Sequence, residues 1–381
     1  MPSESNKHVL FLTRWFPSDS DPMLGLFVKN HATAASLAGY QVTVAYASET
    51  KDMLEGSYKV SINTEGSLTE IIVYFKKSGQ FPWLSQLVAL FKAIRMAIKY
   101  NGKPSLVHAN ILTRTGFIAM LLSGCYGIPY IITEHWSRYY EGNSGYKGFL
   151  RKAITKLVIR KSSVVTVVSR RLYNAMRLKG LNFQQVILPN VVDTNLFDIS
   201  EKRNPTFRFI SISCFEERSK NLKLLIDASR KLRDTGLEFE LVLVGDGPDR
   251  RMIEQHAGNL KFDATFTGTL TPVETAEILK QSHCLVLTSN YETFGIVIYE
   301  ALASGIPVIS TDVADLKDLI SQEYGKIIPV ADLNALFNSM KEIHDKYAQY
   351  DQVKLRDLVK NICSLTSVSA GLDKLYQRVM Q

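Results

Sequence analysis

The chain is poor in cysteine. Its four, Cys125, Cys214, Cys284 and Cys363, stand far apart and form no CxxC pair. That excludes a disulfide framework and a cysteine zinc site, and it suits a reducing compartment. Long apolar runs are missing as well: none approaches the ~20 residues that a membrane span needs. The amino-terminal MPSESNKHVLFL lacks a basic start followed by an apolar core and a small-residue cleavage site, so no signal peptide is read. The expectation is a cytoplasmic protein, at most peripheral on the inner face of the cell membrane. Short-period repeats and low-complexity tracts are also absent.

What is present is a soluble globular composition, 46% apolar and 22% charged. At 381 residues the chain exceeds what one hydrophobic core serves, so two domains are expected. The net charge of +8, from 45 basic and 37 acidic residues, suits an anionic partner without choosing among nucleotide phosphates, nucleic acid and acidic lipid.

Short apolar runs alternate with longer amphipathic ones. HVLFL, QVTVAYA, IIVYF, LVHA, YIIT and VVTVVS read as strands in the first half, and RFISIS, FELVLVG, CLVLTS and PVIST in the second. Residues 27–38, 83–100 and 222–234 carry apolar residues at helical spacing. The alternation predicts an α/β fold of parallel sheets covered on both faces. The polar stretch LPNVVDTNLFDISEKRNPTF, residues 188–207, marks the boundary. Two Rossmann-like domains facing across a cleft follow, 1–188 and 189–364, with a carboxyl-terminal helix at 365–381 joining the first. Ligands of such sheets bind outside the carboxyl ends of the strands, so the loops there carry the chemistry.

The most informative loop lies in SNYETFGIVIYEALASGIPVI. A strand ends, Glu292 and Gly295 follow, and a helix begins near Phe294 and stops at Ser304-Gly305. The first helical turn leaves free amides around Phe294, Gly295 and Ile296, a seat for phosphate. Glu300 falls one turn beyond Ile296 on the same face, where a carboxylate can accept two hydrogen bonds from a vicinal diol such as a ribose. Glu292 is placed to reach hydroxyls of the group that the phosphate carries. The plainer alternative is a charge favourable to the helix dipole at Glu292 and a solvated position at Glu300. That fits Glu300 poorly, because Ile296, Val297, Ile298, Ala301 and Leu302 make the helix apolar nearly all round.

The loop SCFEERSKNLKLLIDA sets Arg218 and Lys220 near a helix start, where a diphosphate would offset their charge. A solvated basic loop is an equal reading. In ELVLVGDGPDRRMIE, Gly245 and Gly247 follow a strand, but Arg250 replaces the third glycine of the dinucleotide fingerprint, which argues against a nicotinamide dehydrogenase. FTGTLT, with Gly268 and Thr269, makes a similar turn. In the first half, Gly25 of WFPSDSDPMLGLFVKNHA and the trio Glu134, His135 and Trp136 follow strands. Each of Gly25 and His135 reads equally well as structural or as ligand-facing.

Together these loops resemble the retaining nucleotide-sugar glycosyltransferases of the two-Rossmann-domain (GT-B) type, glycosyltransferase family 4. The resemblance spans nearly the whole chain. Its most specific part is the E-x7-E pair Glu292 and Glu300, supported by WFPS…GLFVKNHA, ITEHW, PNVVDTNLF, SKNLKLLIDA, LVGDGPDR and FTG. It implies that Glu300 holds the donor ribose and Glu292 the donor sugar. The amides of Phe294, Gly295 and Ile296, with Lys220 and Arg218, would bind the diphosphate. Gly25 would approach that diphosphate, and His135 the transferred sugar near the reacting carbon. The turns at Gly247 and Thr269 complete the implied donor set. Four positions depart from the family pattern: Cys214 replaces an arginine, Asn110 a histidine, Val191 a glycine, and Asp318 a glutamate. Arg218 either substitutes for the missing arginine or leaves the diphosphate more weakly held.

The implied reaction moves a hexose from a UDP- or GDP-sugar to a hydroxyl of a glycan or lipid-linked acceptor, with retention at the anomeric carbon, in cell-surface polysaccharide synthesis. No DxD-like pair stands in a suitable loop, so neither metal nor cofactor is expected, and no nucleic-acid partner. Residues 81–100 set Trp83, Lys92, Arg95 and Lys99 on one amphipathic segment, and residues 146–161 are basic too. Both fit an anionic membrane surface, although an ordinary core helix with a basic outer face accounts for the first. An epimerase on the same fold, or a non-catalytic nucleotide- or glycan-binding protein, is the alternative.

Overall fold

The computed structural model describes residues 7–51, 56–77, 82–141, 145–200 and 204–381. The leader reading at 1–6, Phe81 and linker residues 201–203 lie outside them. The chain forms two compact units, Met1–Val191 with Leu365–Gln381, and Val192–Ser364.

The first unit is built on seven strands: β1 His8–Leu12, β2 Gln41–Glu49, β3 Tyr58–Glu65, β4 Leu68–Phe75, β5 Leu106–Asn110, β6 Tyr130–Glu134 and β7 Val164–Val167. Helices α1 Leu26–Leu37, α2 Pro82–Asn101, α3 Thr115–Tyr126, α4 Phe149–Lys161 and α5 Arg170–Leu178 connect them. The second unit has β8 Arg208–Ile212, β9 Glu240–Val244, β10 Thr265–Gly268, β11 Cys284–Leu287, β12 Val308–Thr311 and β13 Gly325–Ile328. Its helices are α6 Glu217–Lys220, α7 Leu222–Arg233, α8 Arg250–Asn259, α9 Pro272–Lys280, α10 Ile296–Ala303, α11 Leu316–Leu319, α12 Leu333–Lys346 and α13 Gln352–Cys363. The last helix, α14 Leu365–Met380, returns to the first unit and packs on α1.

The sheet orders are β3-β4-β2-β1-β5-β6-β7 and β10-β9-β8-β11-β12-β13. Apart from β3, each is parallel and follows the doubly wound Rossmann order. The buried strands show why: β1, β4, β5 and β6 are buried at every position, as a sheet covered on both faces requires.

Three strands escape the sequence reading. β3 is an antiparallel edge, half exposed, joined to β4 by a two-residue turn at Gly66-Ser67 with Gly66 at φ 58°. This corrects the expectation of wholly parallel sheets; the Gly-Ser turn between alternating segments was the available signal. β10 and β13, of four residues each, are too short for periodicity to register.

Each unit has its own apolar core. Val28, Ala32 and Tyr40 pack with Val368, Leu372 and Tyr376 of α14 in the first, and Phe209, Leu225, Leu243 and Val286 lie together in the second. The tie of α14 to its sheet is also polar. Tyr40 donates to Asp373 at 2.9 Å, and the Tyr376 hydroxyl meets His108 Nδ1 at 2.7 Å.

Backbone packing at the strand ends makes glycine obligatory at Gly245. It sits at φ 129°, and an added Cβ would lie 1.9 Å from the Ser213 carbonyl oxygen. Gly258, inside α8, has open space at that point. Gly245→Ala therefore destabilises the fold by more than ~2 kcal/mol and lowers its thermal midpoint, while Gly258→Ala stabilises it by up to ~1 kcal/mol and raises the midpoint. Melting curves of the two variants, read by circular dichroism, check both signs.

Candidate active site

In a doubly wound sheet the crossovers leave in opposite directions from the two central strands, and the loops at their carboxyl ends diverge to leave a crevice. In the second unit those strands are β8 and β11. The loop after β8 leads into α6, and the loop after β11 carries Asn290, Glu292 and Gly295. Hydrogen bonds to backbone carbonyls fasten the two together. Asn290 donates its amide to the Ser219 carbonyl at 2.8 Å and its side chain to the Arg218 carbonyl at 2.9 Å. Thr288 donates to the Lys220 carbonyl at 2.9 Å.

The side chains complete this junction. Lys220 Nζ donates to Glu292 Oε1 at 2.5 Å, and Ser289 donates to the same oxygen at 2.8 Å. Both partners are only 16% exposed. Burial is the largest single influence and pulls the Lys220 ammonium down, but the charge and hydrogen bond of Glu292, with Cys214 and Tyr291, together outweigh it; the net shift is upward and the lysine stays charged. The geometry differs here from the sequence expectation. Lys220 ends the short helix α6, and Asn221, at φ 50°, precedes α7. Its charge is offset by Glu292 rather than standing open at a helix start. Arg218 is exposed, and Cys214 is an exposed free thiol in the same loop.

Gly295 caps α10 in the left-handed region, at φ 73°. Its added Cβ would meet only ordinary contacts, the nearest 3.7 Å away, so the requirement for glycine is conformational. Phe294 is buried and stacks on Tyr299 with ring centroids 4.6 Å apart. That stacking holds the amides of Phe294, Gly295 and Ile296 at the mouth of the helix, where they have no acceptor within it. Glu300 is half-buried on α10, and its carboxylate has no hydrogen bond or ion pair among the described residues. Desolvation pushes it up to about 7.

The β9 turn packs on the β8 loop. A Cβ on Gly247 would lie 2.6 Å from the Phe215 carbonyl oxygen, so this glycine is demanded by the protein itself. Phe215 donates its amide to the Asp246 carbonyl at 2.9 Å, and Gly245 to that of Gly268 at 2.9 Å. Thr269 is exposed just beyond β10. The structure thus brings Lys220, Glu292 and the Gly295 cap together at one strand-end junction, with Gly247 packed on the adjoining β8 loop.

In the first unit Gly25 caps α1 at φ 73°, and a Cβ there would lie 2.2 Å from the Trp15 carbonyl oxygen, which alone explains the residue. Phe27, two residues on, packs against the His135 ring at 4.5 Å. His135 is buried, with Nε2 3.0 Å from Asn110 Oδ1. Burial, followed by the nearby His31 and His108, holds its pKa well below the usual value, so the ring is neutral.

Sequence reasoning placed Glu134 at this strand end but gave it no role, and in the structure it organises the loop. Glu134, fully buried, accepts from the amides of Leu112, His135 and Trp136 at 3.0–3.1 Å, from Arg138 at 3.3 Å and from Tyr139 at 3.0 Å. The i,i+4 spacing of Glu134 and Arg138 was the one available signal. Among the described residues no three His, Cys, Asp or Glu side chains converge as metal ligands, and no helix is long and apolar enough to cross a membrane.

Comparison with known proteins agrees with this architecture. Residues 24–196 match the model of Glycosyltransferase Family 4, and residues 192–356 that of Glycosyl transferases group 1. The chain is 26% identical over 365 residues to TuaC of Bacillus subtilis (strain 168), named for teichuronic acid biosynthesis, with 86% of this chain and 87% of TuaC covered. It is 25% identical to the 2-deoxystreptamine glucosyltransferase of Streptomyces kanamyceticus, covering 65% of this chain and 67% of that one. Among solved structures, sucrose-phosphate synthase from Thermosynechococcus elongatus superposes with a TM-score of 0.79 at 20% identity, covering 98% of both chains. Anabaena HepE in complex with UDP-glucose gives 0.72 at 15% identity, covering 97% of this chain and 99% of HepE. The fold is GT-B, and with both of its halves matched the chain belongs to the family 4 and group 1 glycosyltransferases.

Proposed function

We propose that this glycosyltransferase moves a hexose from a UDP- or GDP-sugar to a hydroxyl of a glycan or lipid-linked acceptor, with retention and without a metal, in cell-surface polysaccharide synthesis. The observation that carries the donor assignment is the unpaired, half-buried carboxylate of Glu300 on the helix capped by Gly295, close to the Lys220–Glu292 pair. A desolvated carboxylate with no protein partner is costly unless a ligand supplies hydrogen bonds, and a ribose diol supplies two. The free amides at Phe294–Ile296 take the diphosphate. Lys220 turns from Glu292 toward the leaving phosphate, where charge builds in the transition state. Glu292, released, accepts from sugar hydroxyls. Arg218 and the turns at Gly247 and Thr269 border the nucleotide.

His135 contacts the transferred sugar and Gly25 the diphosphate. The imidazole, held neutral by burial, serves as a contact and not as a proton carrier. HepE structures hold UDP and UDP-glucose, which makes a UDP-sugar the first donor to test.

Two predictions follow from Glu300. Titrating UDP, GDP and ADP without metal, by calorimetry, gives binding of one nucleotide class. Glu300→Ala weakens that binding by 10- to 100-fold, about 1.4–2.8 kcal/mol. Equal affinity in the variant, or no nucleotide binding by the wild type, overturns the assignment.

The second concerns pH. Because the folded-state pKa of Glu300 is raised from 4.5 to about 7, the unfolded chain releases this proton first. Ionisation then favours unfolding, so the penalty is absent below pH 4.5, grows through this window and is full above about 7. Glu300→Gln removes it. Its stability, followed by the thermal midpoint, should match wild type near pH 4.5 and exceed it at pH 8, by at most roughly 3 kcal/mol. An equal difference at both pH values would contradict the burial of this charge.

A further inference from the structure

The first unit has its own switch point, between β1 and β5. The loop after β1 begins with Thr13 and Arg14, and the loop after β5 contains Ile111, Thr113 and Arg114. From this point a groove of about 400 Å³ runs between helices, within the range of small-molecule sites. Leu87, Leu90 and Phe91 of α2 line one wall, and Phe117, Ile118 and Leu121 of α3 the other. Trp83 stands at the rim, 56% exposed.

A second, smaller pocket shares Arg14, Thr113, Arg114 and Thr115 with this groove and adds Trp136, Arg138 and Arg151. Four arginines meet there. Beyond burial, Arg14 is destabilised by Arg114, Arg138 and Arg151, with only the Tyr46 phenol opposing them. The acid of the cluster, Glu134, is already bound to Arg138. Arg138 Nε and Thr113 Oγ1 are buried without a hydrogen-bond partner among the described residues. Ile111, a β-branched residue held at φ 74°, lines the same pocket. Such a backbone is strained and persists at sites where geometry is imposed.

The surroundings are equally one-sided. Helices α2, α3 and α4 contain no Asp or Glu, whereas α2 carries three basic residues and α4 five. Leu84 and Val88 of α2, and Phe149 and Leu150 of α4, are exposed, the latter two at 89% and 71%. An apolar trough ending in four guanidinium groups, of which Arg138 alone is paired with an acid among the described residues, set among basic helices with bare apolar side chains, matches an amphiphile with an anionic head.

We propose that the apolar groove and the Arg14–Arg114–Arg138–Arg151 pocket hold the single long chain, between α2 and α3, and the phosphate or diphosphate of a lipid-linked acceptor, while a sugar joined to that phosphate carries the hydroxyl that receives the hexose. This rests on the transferase reading and makes it specific: of the glycan and lipid-linked acceptors, it selects the lipid-linked. The head group is held through planar, paired contacts that guanidinium groups make with phosphate oxygens. The chain displaces water from Leu87, Phe91, Phe117 and Leu121.

All three tryptophans report on this region. Trp83 lines the groove, Trp136 the arginine pocket, and Trp15 packs on Trp136 with ring centroids 5.1 Å apart. The test is a fluorescence titration with farnesyl diphosphate, against farnesol and inorganic diphosphate, with UDP and GDP titrated separately by calorimetry. Farnesyl diphosphate is expected to bind at least tenfold more tightly than either control. The exposed pair Arg114→Glu/Arg151→Glu should lose at least tenfold, and Leu121→Gln should lose affinity for farnesyl diphosphate while leaving inorganic diphosphate unchanged. Nucleotide affinity should be unaltered in all three proteins. Farnesol binding as tightly as farnesyl diphosphate would reduce the site to a bare apolar groove and overturn the proposal. Inorganic diphosphate binding as tightly would make it a free-phosphate site, and an unchanged charge-reversal variant would remove the arginines; either result also overturns it. Loss of nucleotide binding in the wild type, with lipid binding intact, would instead fault the donor assignment.

Discussion

The ion pair between Lys220 and Glu292 joins two loops that the chain separates by 72 residues. The loops after β8 and β11 meet at it. Asn290 and Thr288 bind the backbone of one loop to the other, so the ammonium and the carboxylate meet without having to fix their own loops. Two partly buried charges are stable together and costly apart, because each has lost much of its water. A pair of this kind is therefore poised. A ligand that brings both an anion and hydroxyl groups can replace each partner for the other, and few other ligands can. The neighbouring Gly295 cap and Glu300 extend the same logic: amides without acceptors at the start of α10 and an acid without donors one turn into it.

The parallel order of each sheet is what places such groups. Opposite crossovers from two central strands open a gap that no element of the sheet fills. In the second unit the paired Lys220 and Glu292 meet there. In the first the gap holds guanidinium groups beside an apolar groove, organised by the buried Glu134. The same fold thus presents two chemistries, and side chains rather than topology decide which.

Much of this was legible in the sequence, for reasons that differ by residue. Buried parallel strands such as β1 and β6 announce themselves as short apolar runs, and α1, α2 and α7 by helical spacing. Glu292, Gly295 and Glu300 stand out because acids and a glycine interrupt an otherwise apolar strand-to-helix junction. Gly247 and Gly25 were legible as glycines but not as to cause. The coordinates give each a protein carbonyl, of Phe215 and of Trp15, that leaves no room for a Cβ. The partner of Lys220 was not legible, since pairing across 72 residues depends on loop geometry that local sequence does not encode. The same holds for the arginine pocket, whose members come from four separate segments. The antiparallel β3 was missed because its polar, half-exposed pattern resembles a loop until its pairing with β4 is seen.

In the donor-bound state Lys220 is expected to leave Glu292 for the diphosphate of the nucleotide. Calorimetry on Lys220→Met, with the nucleoside diphosphate that binds the wild type and with its parent nucleoside, tests it directly. At least a tenfold loss, about 1.4 kcal/mol, is expected for the diphosphate and little change for the nucleoside. Equal losses for both ligands would mean that the lysine only supports the loops. No loss for either would mean that the ion pair has no part in donor binding.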